Sequence, residues 1–353
     1  MMDRNVMETL IDLLLIESDH NAKKKEMVDY VVGWLKNLGL EVDLVGDPAC
    51  PAISAYNGYN GIAFSGHLDT VPIGSNWTME QGEVESNRIY GRGAVDMKGA
   101  CACMLHAAKA LMNEDIDFYV LFTTDEEVRM TGAKALLHTH AVKNAAGMVI
   151  GEPTDLKVAY REKGVSQFDL FTYGRTAHAS MPHLGDNAIT RMYRLLGKVE
   201  EYAQETKAAG KDLTIGVNVI RGGDKSNVVP DQCVAEIDVR VPFPLKSKDV
   251  EMGLRQKFKG HEFELRVPHE LPAFQTDPHS ALIQTALDQL GTSTIEVPYA
   301  TEAAVYCTEV KDILICGPGM PVLAHAPDEY VEKEALQRAL DLYIKLGKQV
   351  AQG

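Results

Sequence analysis

Short apolar runs alternate with amphipathic segments along the N-terminal part of the chain, and this alternation is the strongest constraint on the fold. The runs typical of strands cover residues 40–46, 50–56, 61–66, 117–124 and 146–151. Helical patterns lie at 3–18, 22–38, 97–113 and 131–139. Strands that alternate with helices predict an α/β fold with a mixed, mainly parallel sheet flanked by helices. Because ligands bind at the carboxyl ends of such strands, polar residues that follow the runs are the first candidates for a functional site.

The pattern changes near residue 158 and later returns to its first form. Between these points the chain predicts the elements β-α-β-β-α-β, at 165–173, 186–206, 213–221, 232–242, 247–259 and 261–267. That order is typical of a ferredoxin-like α+β unit. The first pattern resumes with a helix at 278–290, a strand at 312–316 and a helix at 332–350. We therefore predict a discontinuous domain, 1–160 with 270–353, that contains an inserted domain at 161–269.

The composition argues against two classes of partner. The 353 residues carry a formal net charge of −15, whereas a protein that binds nucleic acid needs a basic face. No apolar run approaches the roughly 20 residues that span a bilayer, so we expect no membrane association. The N-terminus lacks the basic and apolar regions of a signal peptide. The six cysteines are scattered without metal or disulfide spacing, which predicts reduced thiols and a cytoplasmic protein.

Acidic residues and histidines follow several of the apolar runs. His67 and Asp69 follow the run at 61–66. Because they are two residues apart, both side chains point to the same side of an extended backbone. The other residues in such positions are Asp96, Glu126, Glu127, Glu152 and His325. Nitrogen and oxygen ligands without thiolate suit zinc, with manganese or cobalt as substitutes. The two imidazoles of His67 and His325 and the three carboxylates of Asp96, Glu127 and Glu152 can hold two ions around one shared carboxylate, as in two-metal hydrolases.

Glu126 and Glu127 are adjacent, so their side chains point apart on a turn. One can bind a metal while the other faces the attacking water as general base, and then protonates the leaving amine. The alternative is a solvated acidic turn. The buried run Phe118–Thr124 directly before the pair favours the functional interpretation.

Six ordered segments carry a family resemblance: GHLDTVP at 66–72, GRGAVDMKGA at 91–100, TTDEEV at 123–128, GEPTD at 151–155, GRTAHAS at 174–180 and AHAPDEYV at 324–331. Together they resemble the M20 family of zinc-dependent amidohydrolases and exopeptidases. Within it the chain is most similar to the acetylornithine deacetylase and succinyl-diaminopimelate desuccinylase group. The resemblance implies a zinc-exopeptidase-like catalytic domain with two Zn²⁺ per subunit, for which Co²⁺ or Mn²⁺ can substitute. It also implies that the inserted domain acts as a lid and mediates homodimerisation.

The resemblance assigns roles to individual residues of the catalytic domain. The implied ligands are His67 and Glu152 for one zinc, Glu127 and His325 for the other, and Asp96 between them. Glu126 would be the general base. Asp69 would be hydrogen-bonded to His67 and fix its tautomer. The peptide bond between Asp96 and Met97 would be cis.

Three residues of the inserted domain also match family positions. His178 would reach the partner subunit's site and donate a hydrogen bond to the developing oxyanion, the alternative being a hairpin-turn histidine. Asn227 resembles a residue that contacts substrate. Arg240 resembles the arginine that binds the substrate α-carboxylate, although an exposed strand arginine stays an equal alternative.

Two further positions bear on the substrate pocket. Gly317 opens a Gly-Pro-Gly turn that we expect to shape the floor beside His325. Glu302 stands where relatives often have aspartate, and in a pocket loop the longer side chain would change which acyl group fits.

The sequence thus predicts a homodimeric two-zinc hydrolase that cleaves the amide bond of a small N-acyl amino acid. A peptidase of the same family, acting on dipeptides or C-terminal residues, is the nearest alternative. A hydrolase that releases lysine or ornithine from an amino-group carrier protein is another. A non-catalytic binding protein with this fold would lack a ligand or the base, whereas all of these positions are filled here.

Overall fold

The computed structural model describes residues 4–19 and 24–352. Within them lie ten α-helices: α1 (Val6–Leu15), α2 (Lys25–Asn37), α3 (Lys98–Met112), α4 (Thr131–Leu136), α5 (His140–Asn144), α6 (Ala188–Ala208), α7 (Ser247–Lys257), α8 (Ala281–Leu290), α9 (Ala303–Tyr306) and α10 (Lys333–Val350). None of them is long and apolar enough to cross a membrane. Residue 3 of the first predicted helix and residues 22 and 23 of the second lie outside the described residues.

The same described residues form eighteen strands: β1 (Glu41–Val45), β2 (Ala52–Asn57), β3 (Ile62–His67), β4 (Val84–Glu85), β5 (Arg88–Tyr90), β6 (Phe118–Thr123), β7 (Gly147–Pro153), β8 (Val158–Glu162), β9 (Gly164–Tyr173), β10 (Ala177–His178), β11 (Thr214–Gly222), β12 (Val228–Val229), β13 (Gln232–Val241), β14 (Glu264–Leu271), β15 (Phe274–Gln275), β16 (Thr294–Val297), β17 (Ile313–Gly317) and β18 (Tyr330–Glu332). Short 3₁₀ turns occur at Pro182–Leu184 and Pro321–Leu323.

The chain divides into two compact units. The first contains the described residues up to Tyr160, the segment Thr276–Glu296 and the described residues from Thr301 onward. The second contains Arg161–Gln275 and Val297–Ala300. The second unit ends at Gln275 rather than near residue 269, because β15 pairs with Arg161 and Glu162 at the start of that unit.

A mixed sheet organises the first unit, with the strand order β1-β2-β6-β3-β7-β17-β8. Its four central strands, β6, β3, β7 and β17, run parallel to their neighbours within that group. Every residue of β3 and β6 is buried, which explains why these strands read as continuous apolar runs. Helix α3 packs against β3, α1 and α10, and its many small side chains allow that close burial. The predicted mixed, mainly parallel α/β sheet is confirmed.

The second unit is a four-stranded antiparallel sheet with the order β11-β13-β9-β14. Helices α6 and α7 pack together, and their apolar side chains share one core with β9 and β13. Along the chain the elements follow as β9-α6-β11-β13-α7-β14, which is the ferredoxin-like order. Alternate residues of β13 are buried, as one covered face of a sheet requires.

Candidate metal centre

The parallel strands of the first unit end at one edge of the sheet, and the candidate residues lie along that edge. His67 is the last residue of β3, and Glu152 lies next to the last residue of β7. Glu126 and Glu127 follow the end of β6, while His325 lies in the segment after β17. Because parallel strands share their carboxyl-terminal edge, residues that are distant in sequence meet there.

One carboxylate stands between two imidazoles. Nε2 of His67 lies 3.0 Å from Oδ1 of Asp96 and 3.6 Å from Oε1 of Glu152. On the other side, Nε2 of His325 lies 3.2 Å from Oδ2 of Asp96 and 3.0 Å from Oε1 of Glu127. The two oxygens of Asp96 therefore face different histidines. The peptide bond between Asp96 and Met97 is cis, as expected from the resemblance.

These distances fit two divalent cations. Within the described residues the candidate ligand groups are His67–Asp96–Glu152 and Asp96–Glu127–His325, and the ligand atoms of each lie within 4.8 Å of one another. Tetrahedral ligands at roughly 2.0–2.2 Å from zinc are separated from each other by about 3.4 Å. The observed separations are of this size, and the donors are nitrogen and oxygen throughout.

The charges at the centre favour a bound cation. Burial opposes a charge on His67, but the hydrogen bond to Asp96 and the nearby Glu152 outweigh it and raise the pKa of His67 well above its usual value. Hydrogen bonds to Asp96 and Glu127 raise the pKa of His325 to about 10. Burial, and then the charge of Asp96, raise the pKa of Glu152. The acidic cluster thus holds protons on its imidazoles where a metal ion could supply the positive charge instead.

Glu126 lies beside this cluster and is only half-buried. Burial raises the pKa of its carboxyl group well above the usual value, and the neighbouring Glu152 and Glu127 add to the shift. In the part of the chain that the structure describes, its carboxylate accepts no hydrogen bond and forms no ion pair. It is therefore available to a water molecule or a leaving group.

Asp69 positions the turn that carries both glutamates. Its carboxylate accepts hydrogen bonds from the backbone N–H groups of Glu126 at 3.2 Å and Glu127 at 3.1 Å. The prediction that this carboxylate is hydrogen-bonded to His67 is wrong. Nδ1 of His67 lies 2.9 Å from the carbonyl oxygen of Asp69 and 3.7 Å from Oδ1, so the main chain fixes the tautomer.

Glu302 is an interior residue, and its predicted place in a substrate-pocket loop is wrong. Its side chain is only 1% exposed. It accepts hydrogen bonds from Thr123 Oγ1 at 2.6 Å and Ser65 Oγ at 3.3 Å, which lie on the neighbouring strands β6 and β3. Burial raises the pKa of this carboxyl group to about 7. Glu302 therefore joins the two strands that lead to His67 and Glu126.

Comparison with known proteins identifies the family to which the chain belongs. Peptidase family M20/M25/M40 matches residues 63–349. The chain belongs to this family. It is 29% identical over 351 residues to an acetylornithine deacetylase of Salmonella arizonae, covering 92% of this chain and 91% of that protein.

Solved structures share the fold of the M20 chain. A tripeptidase from Staphylococcus aureus superposes with a TM-score of 0.82 at 19% identity, covering 99% of this chain and 98% of the other. The YXEP protein of Bacillus subtilis, described as a dinuclear metal-binding M20 peptidase, superposes with a TM-score of 0.74 at 16% identity, covering 98% of each chain. The family match, together with the deacetylase relative, makes the chain an M20 metallohydrolase.

Gly317 of the M20 chain lies at the end of β17, not in the turn beside His325. A Cβ atom at this position would lie 2.0 Å from the carbonyl oxygen of Gly151, so the glycine permits close approach of β17 to β7. Its own carbonyl accepts the N–H of Leu156 at 3.1 Å. The turn is made by Gly319, whose φ is +95°.

The three candidates of the inserted segment lie in the second unit. Nδ1 of His178 is 2.7 Å from the hydroxyl of Ser180, and the side chain is exposed. The carbonyl oxygen of Asn227 accepts the N–H of Ala179 at 2.9 Å, so Asn227 adjoins the histidine turn. Arg240 is half-buried and donates through Nε to Asp238 at 2.8 Å.

Sequence reasoning missed one element of the site in the M20 chain, the pair Arg92 and Glu329. Both side chains are buried, and they form an ion pair in which Nη1 and Oε2 are 2.6 Å apart. Each residue lies in a segment that carried the family resemblance, GRGAVDMKGA and AHAPDEYV. The signal available in the sequence was the presence of opposite charges in two separate motifs, which could have suggested an ion pair.

Proposed function

We propose that this M20 metallohydrolase is a two-zinc deacylase that hydrolyses the amide bond of a small N-acyl amino acid, of the acetylornithine or succinyl-diaminopimelate type. The observation that carries the proposal is the pair of ligand groups that share Asp96. The similarity to an acetylornithine deacetylase over most of both chains supports the substrate class.

His67 and Glu152 would hold one Zn²⁺, Glu127 and His325 the other, and Asp96 both, with Co²⁺ or Mn²⁺ able to substitute. When bound, the two ions would lower the pKa of a shared water and polarise the scissile carbonyl.

Glu126 would act as the proton carrier of the reaction. Its carboxylate would accept a proton from the attacking water and deliver it to the nitrogen of the leaving amine. The raised pKa of this group supports the role, because a carboxylate with a raised pKa is a stronger base towards the attacking water. Asp69 would keep Glu126 in place through the backbone hydrogen bonds of the turn.

The second unit would act as a lid and would supply groups for the substrate. His178 of the partner subunit would donate a hydrogen bond to the developing oxyanion. Arg240 would bind the α-carboxylate with its planar guanidinium, and Asn227 would contact the substrate beside the His178 turn. One fixed arginine could select an anionic substrate despite the acidic net charge of the chain. A cytoplasmic location stays a prediction of the sequence.

Homodimerisation through the second unit is part of the proposal. The edge strand β11 supports it, because Val217 and Ile220 there are 40% and 52% exposed. An exposed apolar edge strand is a ready template for pairing with another chain. Sedimentation of the native protein beside Ile220→Arg tests this part: a native monomer would contradict it.

A peptidase of the same family is the second candidate, favoured by the fold shared with a tripeptidase. A substrate panel separates the two: N-acetylornithine, N-succinyl-diaminopimelate, dipeptides, tripeptides and carrier-attached lysine or ornithine, each with added zinc or cobalt. We expect the highest kcat/KM for one of the first two. Preferred cleavage of the peptides, or of the carrier-attached amino acids, would refute the deacylase assignment.

Glu126→Gln tests the chemistry independently of the substrate. We expect kcat to fall by roughly 10²–10⁴-fold, the usual contribution of general acid–base catalysis, while metal content is retained. The matched control is Glu114→Gln, which changes an exposed glutamate paired with Lys348. A variant at Glu126 with near-native kcat would refute the role of this residue.

A further inference from the structure

The buried pair Arg92 and Glu329 contacts the metal-binding segments without contributing a ligand atom. Arg92 is 5% exposed and Glu329 is 0% exposed. Such a pair is costly to desolvate and is stable only when its remaining hydrogen-bonding groups are also satisfied. Nε of Arg92 is buried without a hydrogen-bond partner among the described residues, and most of the groups that do bond to the pair belong to the segments of the candidate ligands.

Glu329 holds the backbone of the shared ligand. Its Oε1 atom accepts hydrogen bonds from the N–H of Val95 at 2.7 Å and the N–H of Asp96 at 3.1 Å. Its own carbonyl oxygen accepts the N–H of Gly91 at 2.9 Å. The segment that delivers the Asp96 carboxylate is therefore attached to Glu329 at both ends.

Arg92 holds the backbone of the exposed histidine. Its Nη2 atom donates to the carbonyl oxygen of His325 at 3.4 Å and to that of Ile73 at 3.3 Å. The guanidinium also lies 5.2 Å from the ring centroid of Trp77. His325 has a φ of +62°, a conformation unusual for a residue with a side chain, so its backbone needs support from its surroundings.

We propose that the Arg92–Glu329 pair is a positioning device that sets the separation between Asp96 and His325. Through that separation it controls the affinity and geometry of the metal position formed by Asp96, Glu127 and His325. The inference rests on the proposed two-metal function. Among the candidate ligands, Arg92 donates a hydrogen bond to the backbone of His325, whereas Glu329 accepts one from the backbone of the shared Asp96, so the two residues should affect the two metal positions differently.

The test compares the native protein with four variants, all prepared without metal: Arg92→Met, Arg92→Lys, Glu329→Gln and, as control, Arg88→Met. Arg88 is an exposed arginine of β5 that lies over the ring of Tyr330, 4.2 Å from its centroid, whereas Arg92 is buried and donates to the backbone carbonyl of His325. Each protein is titrated with Co²⁺ by calorimetry, and the visible absorption of the cobalt-loaded protein reports coordination geometry. Thermal unfolding of the metal-free proteins measures any purely structural loss.

We expect Arg92→Met to weaken one of two cobalt-binding steps by roughly 10–100-fold, the range typical of lost outer partners, and to change the cobalt spectrum. The Kd of the other step should change by less than about threefold, which is well below that 10–100-fold range. Glu329→Gln should weaken both steps, since it acts through Asp96. Arg92→Lys should recover part of the loss, and Arg88→Met should match the native protein.

Three results would overturn the inference. The first is a folded Arg92→Met protein with native cobalt affinities and spectrum. The second is an equal loss in both steps that follows the drop in unfolding temperature and is shared by Arg88→Met. The third applies if Arg92→Met does not fold: it is native cobalt binding by both Arg92→Lys and Glu329→Gln. A native protein that binds no cobalt and hydrolyses nothing would instead refute the proposed function, and the role of the pair with it.

Discussion

The two ligand groups of the candidate centre differ in how the fold presents them. His67 and Glu152 lie at the ends of buried strands, and the His67 side chain is 2% exposed. Glu127 and His325 lie on loops, and the His325 side chain is 52% exposed. The first group is positioned by the sheet itself. The second depends on hydrogen bonds with two side chains: Asp69 accepts from the backbone N–H of Glu127, and Arg92 donates to the carbonyl oxygen of His325. One centre thus combines a half fixed by the sheet with a half held by side-chain hydrogen bonds.

Asp96→Asn should have the largest effect, because this residue is common to both halves. We expect metal content to fall below one ion per chain. We expect kcat/KM to fall by more than about 100-fold, because the loss of a ligand should exceed the 10–100-fold loss typical of residues that only bond to a ligand. Metal analysis after dialysis and steady-state kinetics measure both. Asp43→Asn, on an exposed position of β1, is the control. Native metal content in the Asp96 variant would show that the carboxylate is not shared.

His67→Gln and His325→Gln test the difference between the halves directly. We expect His67→Gln to remove the tighter of two Co²⁺-binding steps, because the buried ligands are held in place before the metal binds. His325→Gln should remove the weaker step and leave the tighter one within about threefold, well inside the range for a lost outer partner. Calorimetric titration of each variant gives the two constants. The comparison fails if the two variants lose the same step.

Glu302→Ala examines the support beneath the buried half. The substitution leaves the hydroxyl groups of Thr123 and Ser65 without their acceptor in the interior, which costs about 1–3 kcal/mol in the free energy of unfolding. Glu302→Gln keeps an acceptor oxygen and should lose less. Urea unfolding of the metal-free proteins measures the difference. Equal stability of the alanine variant and the native protein would mean that the two hydroxyls find other partners.

A substitution of His106 should have the smallest effect, and it tests how the free energy of unfolding depends on pH at a site away from the centre. Burial, and then Lys109, lower its pKa to about 4, and its Nε2 lies 2.9 Å from the hydroxyl of Thr9. The unfolded chain binds a proton near pH 6.5, whereas the folded chain resists it, so stability falls as the pH drops from about 6.5 towards 4. Because the ring is partly exposed, we expect a loss of only about 1 kcal/mol. Urea unfolding from pH 7 to 4.5 should show a smaller decrease for His106→Gln; an identical decrease would contradict this assignment.

The sequence was sufficient where local pattern and chemistry coincide. The continuous apolar runs of β3 and β6 predicted buried parallel strands, and the polar residues after them lie at the shared edge. The sequence did not reveal contacts made across long separations. The ion pair of Arg92 and Glu329 joins residues 237 positions apart, and no periodicity encodes such a partner.

The errors at Asp69 and Glu302 have a related cause. A motif gives the residue type at a position but not the atom that makes the contact. At Asp69 the carbonyl oxygen, rather than the carboxylate, lies within hydrogen-bonding distance of His67. At Glu302 two hydroxyls from neighbouring strands bind a buried acid. The sequence had placed this residue in a pocket loop because relatives often have aspartate at that position.

The discontinuous first unit also has a consequence for synthesis on the ribosome. Arg161–Gln275 of the second unit emerges before the segments of the first unit that begin at Thr276 and Thr301. A nascent chain that has reached residue 300 already carries His67, Asp96, Glu127 and Glu152, but it lacks β17, α10 and His325. The segment after residue 300 thus completes both the sheet and the ligand set, so a nascent chain that lacks it cannot assemble the whole centre.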